Sequence, residues 1–170
     1  MKYFKTAIVL CIICGLCAVL IAFINFLTAP VIKNNKVKAE AKACSEIFPN
    51  MEYEEVELNA NTDTAIEKKW LAKENGIDVG VIYSVSGRNA YGNISLLVGI
   101  SKADGSVKKV VLTTNTQSYA KVVKNHVNSA YNSGNQVFVD DVDVKCGATF
   151  GATLVKELIQ IAVSDYLGGN

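Results

Sequence analysis

Proline, histidine and net charge are scarce in this 170-residue chain. There are two prolines, one histidine, and 17 basic against 16 acidic residues, a formal net charge of +1. A balance that close removes the electrostatic basis for nucleic-acid binding, and no basic stripe supplies one locally. With 50% hydrophobic and only 19% charged residues, the chain is not a solvated, disordered one. Low-complexity tracts, internal repeats and long linkers are missing too, so the length describes one compact domain with a short appendage. The single histidine, His126, comes without a placed carboxylate or nucleophile and reads as a surface or core residue, not a base. Gly87, Gly92, Gly99 and Gly105 are scattered over separate turns and strands and form no dinucleotide fingerprint.

The mean hydropathy of +0.23 is high, and one end of the chain accounts for it. No residue from Thr6 to Ile32 is charged, and within Ala7 to Leu27 only Gly15 and Asn25 are not apolar. About 20 helical residues cross a hydrocarbon core of about 30 Å, so this run is long enough to span. It exceeds the roughly 7–15 apolar residues of a cleaved signal peptide and ends in Asn25-Phe26-Leu27-Thr28-Ala29-Pro30 without a cleavage site, which favours an uncleaved anchor. Large residues precede Cys11, Cys14 and Cys17, against a lipoprotein box. These three line one side of a helix. Cys14-Gly15-Leu16-Cys17 matches C-x-x-C formally, but buried thiols in apolar helices read as packing residues. Cys44 and Cys146 lie outside the run, and the sequence does not say whether they pair. Lys33, Lys36, Lys38 and Lys42 after the span outnumber Lys2 and Lys5 before it, a count that would place the C-terminal part in the cytoplasm.

Apolar positions at Val37, Ala41, Cys44 and Ile47 predict that Asn34 to Ile47 continues the anchor as a stalk helix, stopped by Phe48-Pro49-Asn50. The predicted organisation is therefore an anchor at 1–32, a stalk at 33–50 and a domain at 51–170. Within the domain, Tyr53 to Leu58 reads as extended and Thr64 to Lys73, which holds the only tryptophan, as polar helix or irregular chain. Ile77 to Val85 reads as a strand. Asn93 to Ser101 and Val107 to Thr113 flank Asp104-Gly105, which predicts an antiparallel hairpin. Ser118 to Tyr131 reads as helix and Gln136 to Val142 as extended. Ala152 to Leu167 forms a last helix with Leu154, Val155, Leu158, Ile161 and Ala162 on one face. The fold class is α+β.

The most specific stretch is Asp143-Val144-Lys145-Cys146-Gly147-Ala148-Thr149, followed by Phe150-Gly151-Ala152-Thr153. It reads as a strand end, a slim loop and a helix N-terminus, where free N–H groups and the helix dipole welcome an anion. The plainer reading is a glycine turn with Thr149 or Thr153 as helix cap. Asp140, Asp141 and Asp143 alone imply no metal site.

Here the sequence resembles the FMN-binding domains of the G subunit of Rnf-type ion-translocating ferredoxin:NAD oxidoreductases and of the C subunit of sodium-pumping NADH:quinone oxidoreductases. That family carries D-x-x-[S/T]-G-A-[T/S], whose last hydroxyl a flavin transferase joins to FMN through the phosphate. The matching positions are Asp143, Cys146, Gly147, Ala148 and Thr149. Asn25-x-Leu27-Thr28-Ala29-Pro30-Val31-Ile32, Gly87-x-x-x-Tyr91-Gly92-x-Ile94, Val98-Gly99-Ile100 and Asp104-Gly105 extend the likeness over nearly the whole chain.

The resemblance implies covalent FMN on Thr149 and an electron-carrying redox subunit, not a self-sufficient enzyme. It implies as partners the other subunits of a membrane electron-transport complex that couples ferredoxin-to-NAD electron flow to ion movement, with a flavin transferase for maturation. It also places the domain outside the cytoplasmic membrane, and being the more specific signal it takes precedence over the lysine count. Two departures stand out. Cys146 replaces the usual Ser or Thr, and Asn115-Thr116-Gln117-Ser118-Tyr119-Ala120 replaces a loop that often reads E-T-P-G-L-G. Tyr119 is thus either a cover for one flavin face or a core residue, and Tyr91, like Trp70, either a cofactor contact or a packing residue. A stand-alone tethered flavoprotein and a subunit without flavin are the alternatives.

Overall fold

The computed structural model describes residues 2–60, 62–134, 137 and 139–168 of the chain. Its elements are α1 (Lys2–Ile47), β1 (Glu52–Val56), β2 (Ile66–Glu74), β3 (Ile77–Asn89), β4 (Gly92–Ser101), β5 (Val107–Asn115), α2 (Ala120–Ala130), a 3-10 turn (Val139–Asp141) and α3 (Thr149–Gly168). This is the expected α+β arrangement behind an apolar N-terminal helix. The chain divides into two compact units, Met1–Ala39 and Glu40–Asn170.

From Lys2 onward the first unit is helix, with Pro30 inside it. Its side chains from Ala7 to Ile32, throughout the apolar run, are exposed. One N-terminal helix is therefore long and apolar enough to cross a membrane. The side chains of residues 1–6 and 33, Lys2, Lys5 and Lys33 among them, lie outside the described residues.

In the second unit the five strands form an antiparallel meander in the order β1-β2-β3-β4-β5. Alternation places Val81, Tyr83 and Val85 of β3 and Ile94, Leu96, Val98 and Ile100 of β4 on one face, under α2 and α3. Val123 and Val127 of α2 and Val155, Leu158, Ile159 and Ala162 of α3 complete that core. The opposite face carries Trp70, Ala72, Ile82 and Leu97, and the last turns of α1 cover it with Ala43, Cys44, Ile47 and Phe48. The helix ends there because Pro49 follows and Asn50 turns left-handed at φ 61°. Lys109 Nζ donates to Glu46 O at 3.0 Å, and Tyr53 Oη to Phe48 O at 2.6 Å, so side chains satisfy the terminal carbonyls.

The hairpin at Asp104-Gly105 forms as the sequence predicts, and Asp104 Oδ1 accepts the Ser106 N–H at 3.1 Å. Thr64 to Lys73, in contrast, is not helical or irregular: most of it is β2, an interior strand. Its charged side chains concealed this because they are tethered to the layers on both faces. Lys68 reaches Glu40 at 2.8 Å on the α1 side, whereas Lys69 reaches Asp165 of α3 at 3.3 Å. Both ammonium groups also lie over aromatic rings, Lys68 Nζ 5.5 Å from the centroid of Trp70 and Lys69 Nζ 4.9 Å from that of Tyr83.

The extended segment expected at Gln136 to Val142 is replaced as well. Val137 makes an isolated bridge to Val107, Val139–Asp141 is the 3-10 turn, and Gln136 and Phe138 lie outside the described residues. Cys44 is buried beneath the α1 side of the sheet and Cys146 lies in the loop before α3; both are free thiols. Burial pushes the Cys44 thiol up to about 11.

Candidate functional site

Three connections meet at one end of the sheet: the β3–β4 turn, the chain from β5 into α2, and the loop that starts α3. They enclose an open cavity of about 440 Å³ lined by Tyr91, Gln117, Tyr119, Ala148, Thr149 and Phe150, among others. Among the residues singled out from sequence, Tyr91, Tyr119, Gly147, Ala148 and Thr149 come together here. Asp143 and Cys146 do not line the cavity; they shape the loop that leads to it.

That loop follows the 3-10 turn, so it is not the strand end expected from sequence. Lys156 of α3 holds it from below, its Nζ donating to Asp140 O and Val142 O, both at 2.9 Å. Gln160 Nε2 donates to Asp140 Oδ1 at 2.8 Å, tying the segment to the same helix. Asp143 is exposed and its Oδ1 accepts the Lys145 N–H at 3.0 Å, closing a local turn. Gly147 then adopts φ +74°, a left-handed conformation that suits glycine.

The helix cap is neither of the threonines considered from sequence. Ala148 O accepts the N–H groups of Gly151 (2.9 Å) and Ala152 (3.0 Å), which makes Ala148 the capping residue, one with no side-chain acceptor. Thr149 is the first helical residue and is exposed, while Thr153 lies half-buried in the second turn. Thr149 and Phe150 therefore both line the cavity at the start of a 20-residue helix that has no capping side chain among the described residues.

Aromatic rings border the opening. Tyr91 and Phe150 stack with centroids 5.2 Å apart and planes at 26°, and Tyr119 is 64% exposed, so it is not a core residue. The connection from β5 to α2 is fixed despite its lack of glycine. Asn115 Oδ1 accepts the Gln117 N–H at 3.2 Å and its Nδ2 donates to Ala120 O at 3.1 Å. Thr116 pairs with Asn93 through backbone and hydroxyl. A β-carbon on Gly92 would meet Thr116 O at 2.5 Å, so glycine is required for the two turns to approach.

Sequence reasoning missed Phe150, Gln117 and Asn89 as site residues. Phe150 was signalled only by following Thr149. Gln117 stood in the replaced loop at Asn115 to Ala120 without a signal of its own and Asn89 carried none, since their roles come from long-range hydrogen bonds. His126, on α2, is half-buried and T-shaped against Tyr131 at 6.3 Å. Burial pulls its imidazole below the ordinary value, and the nearby Asp143 carboxylate opposes that shift.

Comparison with known families places one segment. Residues 2–47, the length of α1, match the family model of the RnfG N-terminal region. No curated protein matches the chain.

Proposed function

Proceeding from an RnfG-type subunit of an Rnf-type electron-transport complex, which the match over residues 2–47 supports, we propose that this chain carries FMN joined through its phosphate to the Thr149 hydroxyl. The single observation that carries the reading is the placement of Thr149: an exposed threonine on the first turn of α3 that lines an aromatic-walled cavity. Its neighbours fit the group. Helix N-termini bind phosphate through free N–H groups and the positive end of the dipole. Gly147, whose missing Cβ would meet nothing within 4 Å, leaves the approach to Thr149 open to a flavin transferase. A cavity of about 440 Å³ lies within the ordinary range of roughly 300–1,000 Å³ for small-molecule sites.

In this reading Tyr119 covers one face of the flavin ring, and Tyr91 with Phe150 forms a second wall. Ala148, Gly147 and the half-buried Cys146 keep the loop narrow, while Asp143 belongs to the surface that the transferase recognises. Bound there, FMN supplies one- and two-electron transfer, and the protein supplies position and electrostatics. The subunit thereby relays electrons between ferredoxin and NAD within a complex that moves ions, with the domain on the extracytoplasmic side. The division at 1–32, 33–50 and 51–170 into anchor, stalk and flavin domain belongs to the same proposal.

The test is peptide mass spectrometry of the protein co-produced with a flavin transferase. The reading expects one FMN less one water on the Thr149 peptide, and none in Thr149→Ala. An unmodified peptide beside an active transferase would overturn it and favour the subunit without flavin, which the replaced loop at Asn115 to Ala120 and Cys146 would then explain.

A further inference from the structure

Gln117 is only 6% exposed, yet it lines the cavity. Its side-chain nitrogen is fully committed: Nε2 donates to Gly92 O at 2.7 Å and to Asn89 Oδ1 at 3.0 Å. The orientation of both amides follows from their backbone partners. A carbonyl oxygen such as Gly92 O only accepts, so the atom facing it must be nitrogen. Asn89 Oδ1 likewise faces the N–H of Tyr91 at 2.9 Å, and Asn89 Nδ2 faces Phe150 O at 3.1 Å. No flip satisfies these contacts.

One atom is left over. Gln117 Oε1 accepts no hydrogen bond from a described residue, and it is not among the atoms sealed from solvent without a partner. A β-carbon on Gly151 would meet Val123 Cγ2 at 2.5 Å and lie 3.4 Å from Gln117 Oε1, so the oxygen sits beside the first turn of α3. The side chain thus leaves one unused acceptor, held in place by the two bonds of its own nitrogen, on a residue that lines the cavity. Such an atom selects a ligand that offers N–H or O–H at that point and penalises one that does not.

We propose that Gln117 Oε1 accepts a hydrogen bond from the imide N–H of the flavin ring, making Gln117 the positioning residue for the ring. The proposal rests on the FMN reading above and adds the one directional contact that the aromatic walls cannot give. An imide N–H is a donor in oxidised and reduced flavin alike, so a fixed acceptor suits it in either state. Stacking rings leave the flavin free to turn in its own plane, whereas a single buried acceptor sets its rotation.

The experiment uses the full-length protein loaded with nitrogen-15-labelled FMN and follows the imide proton by NMR. The expected result is a downfield imide proton whose exchange with water is at least tenfold slower than in free FMN. Gln117→Leu returns exchange to within about twofold of free FMN while the Thr149 peptide stays loaded. Asn89→Ala, which removes one of the two anchors of the amide but not the acceptor, retains most of the protection. Free exchange in the loaded wild-type protein overturns the contact whether or not the variants fold. Unchanged protection in Gln117→Leu, or equal loss in Asn89→Ala, also overturns it by showing that the effect is another group's or that of the loop. A Thr149 peptide without flavin fails differently, since it removes the underlying reading and the contact with it.

Discussion

A β-carbon on Gly99 would lie 2.1 Å from Ile47 Cγ2, so the end of α1 rests directly on the backbone of the sheet. Gly80 plays the same part for Phe48, whose ring would be met at 2.2 Å. Both glycines open a hollow into which the last turn of the helix packs, and both Ile47 and Phe48 are almost wholly buried. Gly99→Ala or Gly80→Ala should overpack this layer and cost about 1–3 kcal/mol. Denaturant unfolding followed by fluorescence of Trp70, which shares the cluster, provides the measurement. An unchanged midpoint would mean that the helix end lifts off freely.

The aromatic walls should report on the ring they border. In the flavin-loaded protein, Tyr119→Ala is expected to raise flavin fluorescence at least twofold, because a stacked tyrosine quenches and an empty face does not. Phe150→Ala should act in the same direction but less strongly, since Tyr91 remains in place. Equal fluorescence in all three proteins would remove these rings from the flavin site.

The proposed membrane orientation rests on the family resemblance and runs against the count of flanking lysines. With the domain outside, a cysteine placed at exposed Ser133 should react with a membrane-impermeant maleimide in intact cells as fully as in lysed ones. Labelling only after lysis would place the domain in the cytoplasm.

Local patterns in the sequence predicted the elements that local patterns determine. The apolar N-terminal helix, the Asp104-Gly105 hairpin and the apolar face of α3 all depend on neighbours a few residues apart. The β2 strand was missed although Asn75-Gly76 announced it: both residues have positive φ, 51° and 81°, and Glu74 pairs directly with Ile77. Its lysines outweighed that turn signal because their partners, Glu40 and Asp165, come from helices at opposite ends of the chain. The candidate site shows the same limit. Thr149, Gly147 and Ala148 were legible as a motif, whereas Phe150 is defined by its stack on Tyr91 and Gln117 by bonds to Asn89 and Gly92.

Stability should depend on pH through His126. Burial holds its folded-state value below the unfolded 6.5, with the Asp143 carboxylate partly offsetting the effect. The unfolded chain therefore binds the proton first as pH falls. The stabilisation is fully present above about 6.5 and is lost as the pH drops through the lower folded value. Unfolding midpoints measured from pH 7.5 to about 5.5 should decline, and His126→Leu should flatten that decline. A decline that survives in the variant would assign the effect to other groups.

Lys156 provides the last prediction, because one side chain holds the loop that precedes Thr149. Its ammonium donates to the carbonyls of Asp140 and Val142, both at 2.9 Å, and nothing else in the described structure bonds Val142 O. Hydrogen bonds from a charged donor are worth roughly 1.5–3 kcal/mol, less where water competes, so Lys156→Met should cost about 1 kcal/mol in stability. Its larger effect should be local. Amide exchange across residues 142–148 should quicken while the strands keep their protection, since the sheet core does not involve Lys156. A looser loop presents the Thr149 hydroxyl in many positions, so transferase loading should slow severalfold, and Lys156→Arg, which retains charge and donors, should recover most of it. Loading at the wild-type rate in Lys156→Met, together with the quickened exchange, would show that the transferase shapes the loop itself and does not need it prearranged.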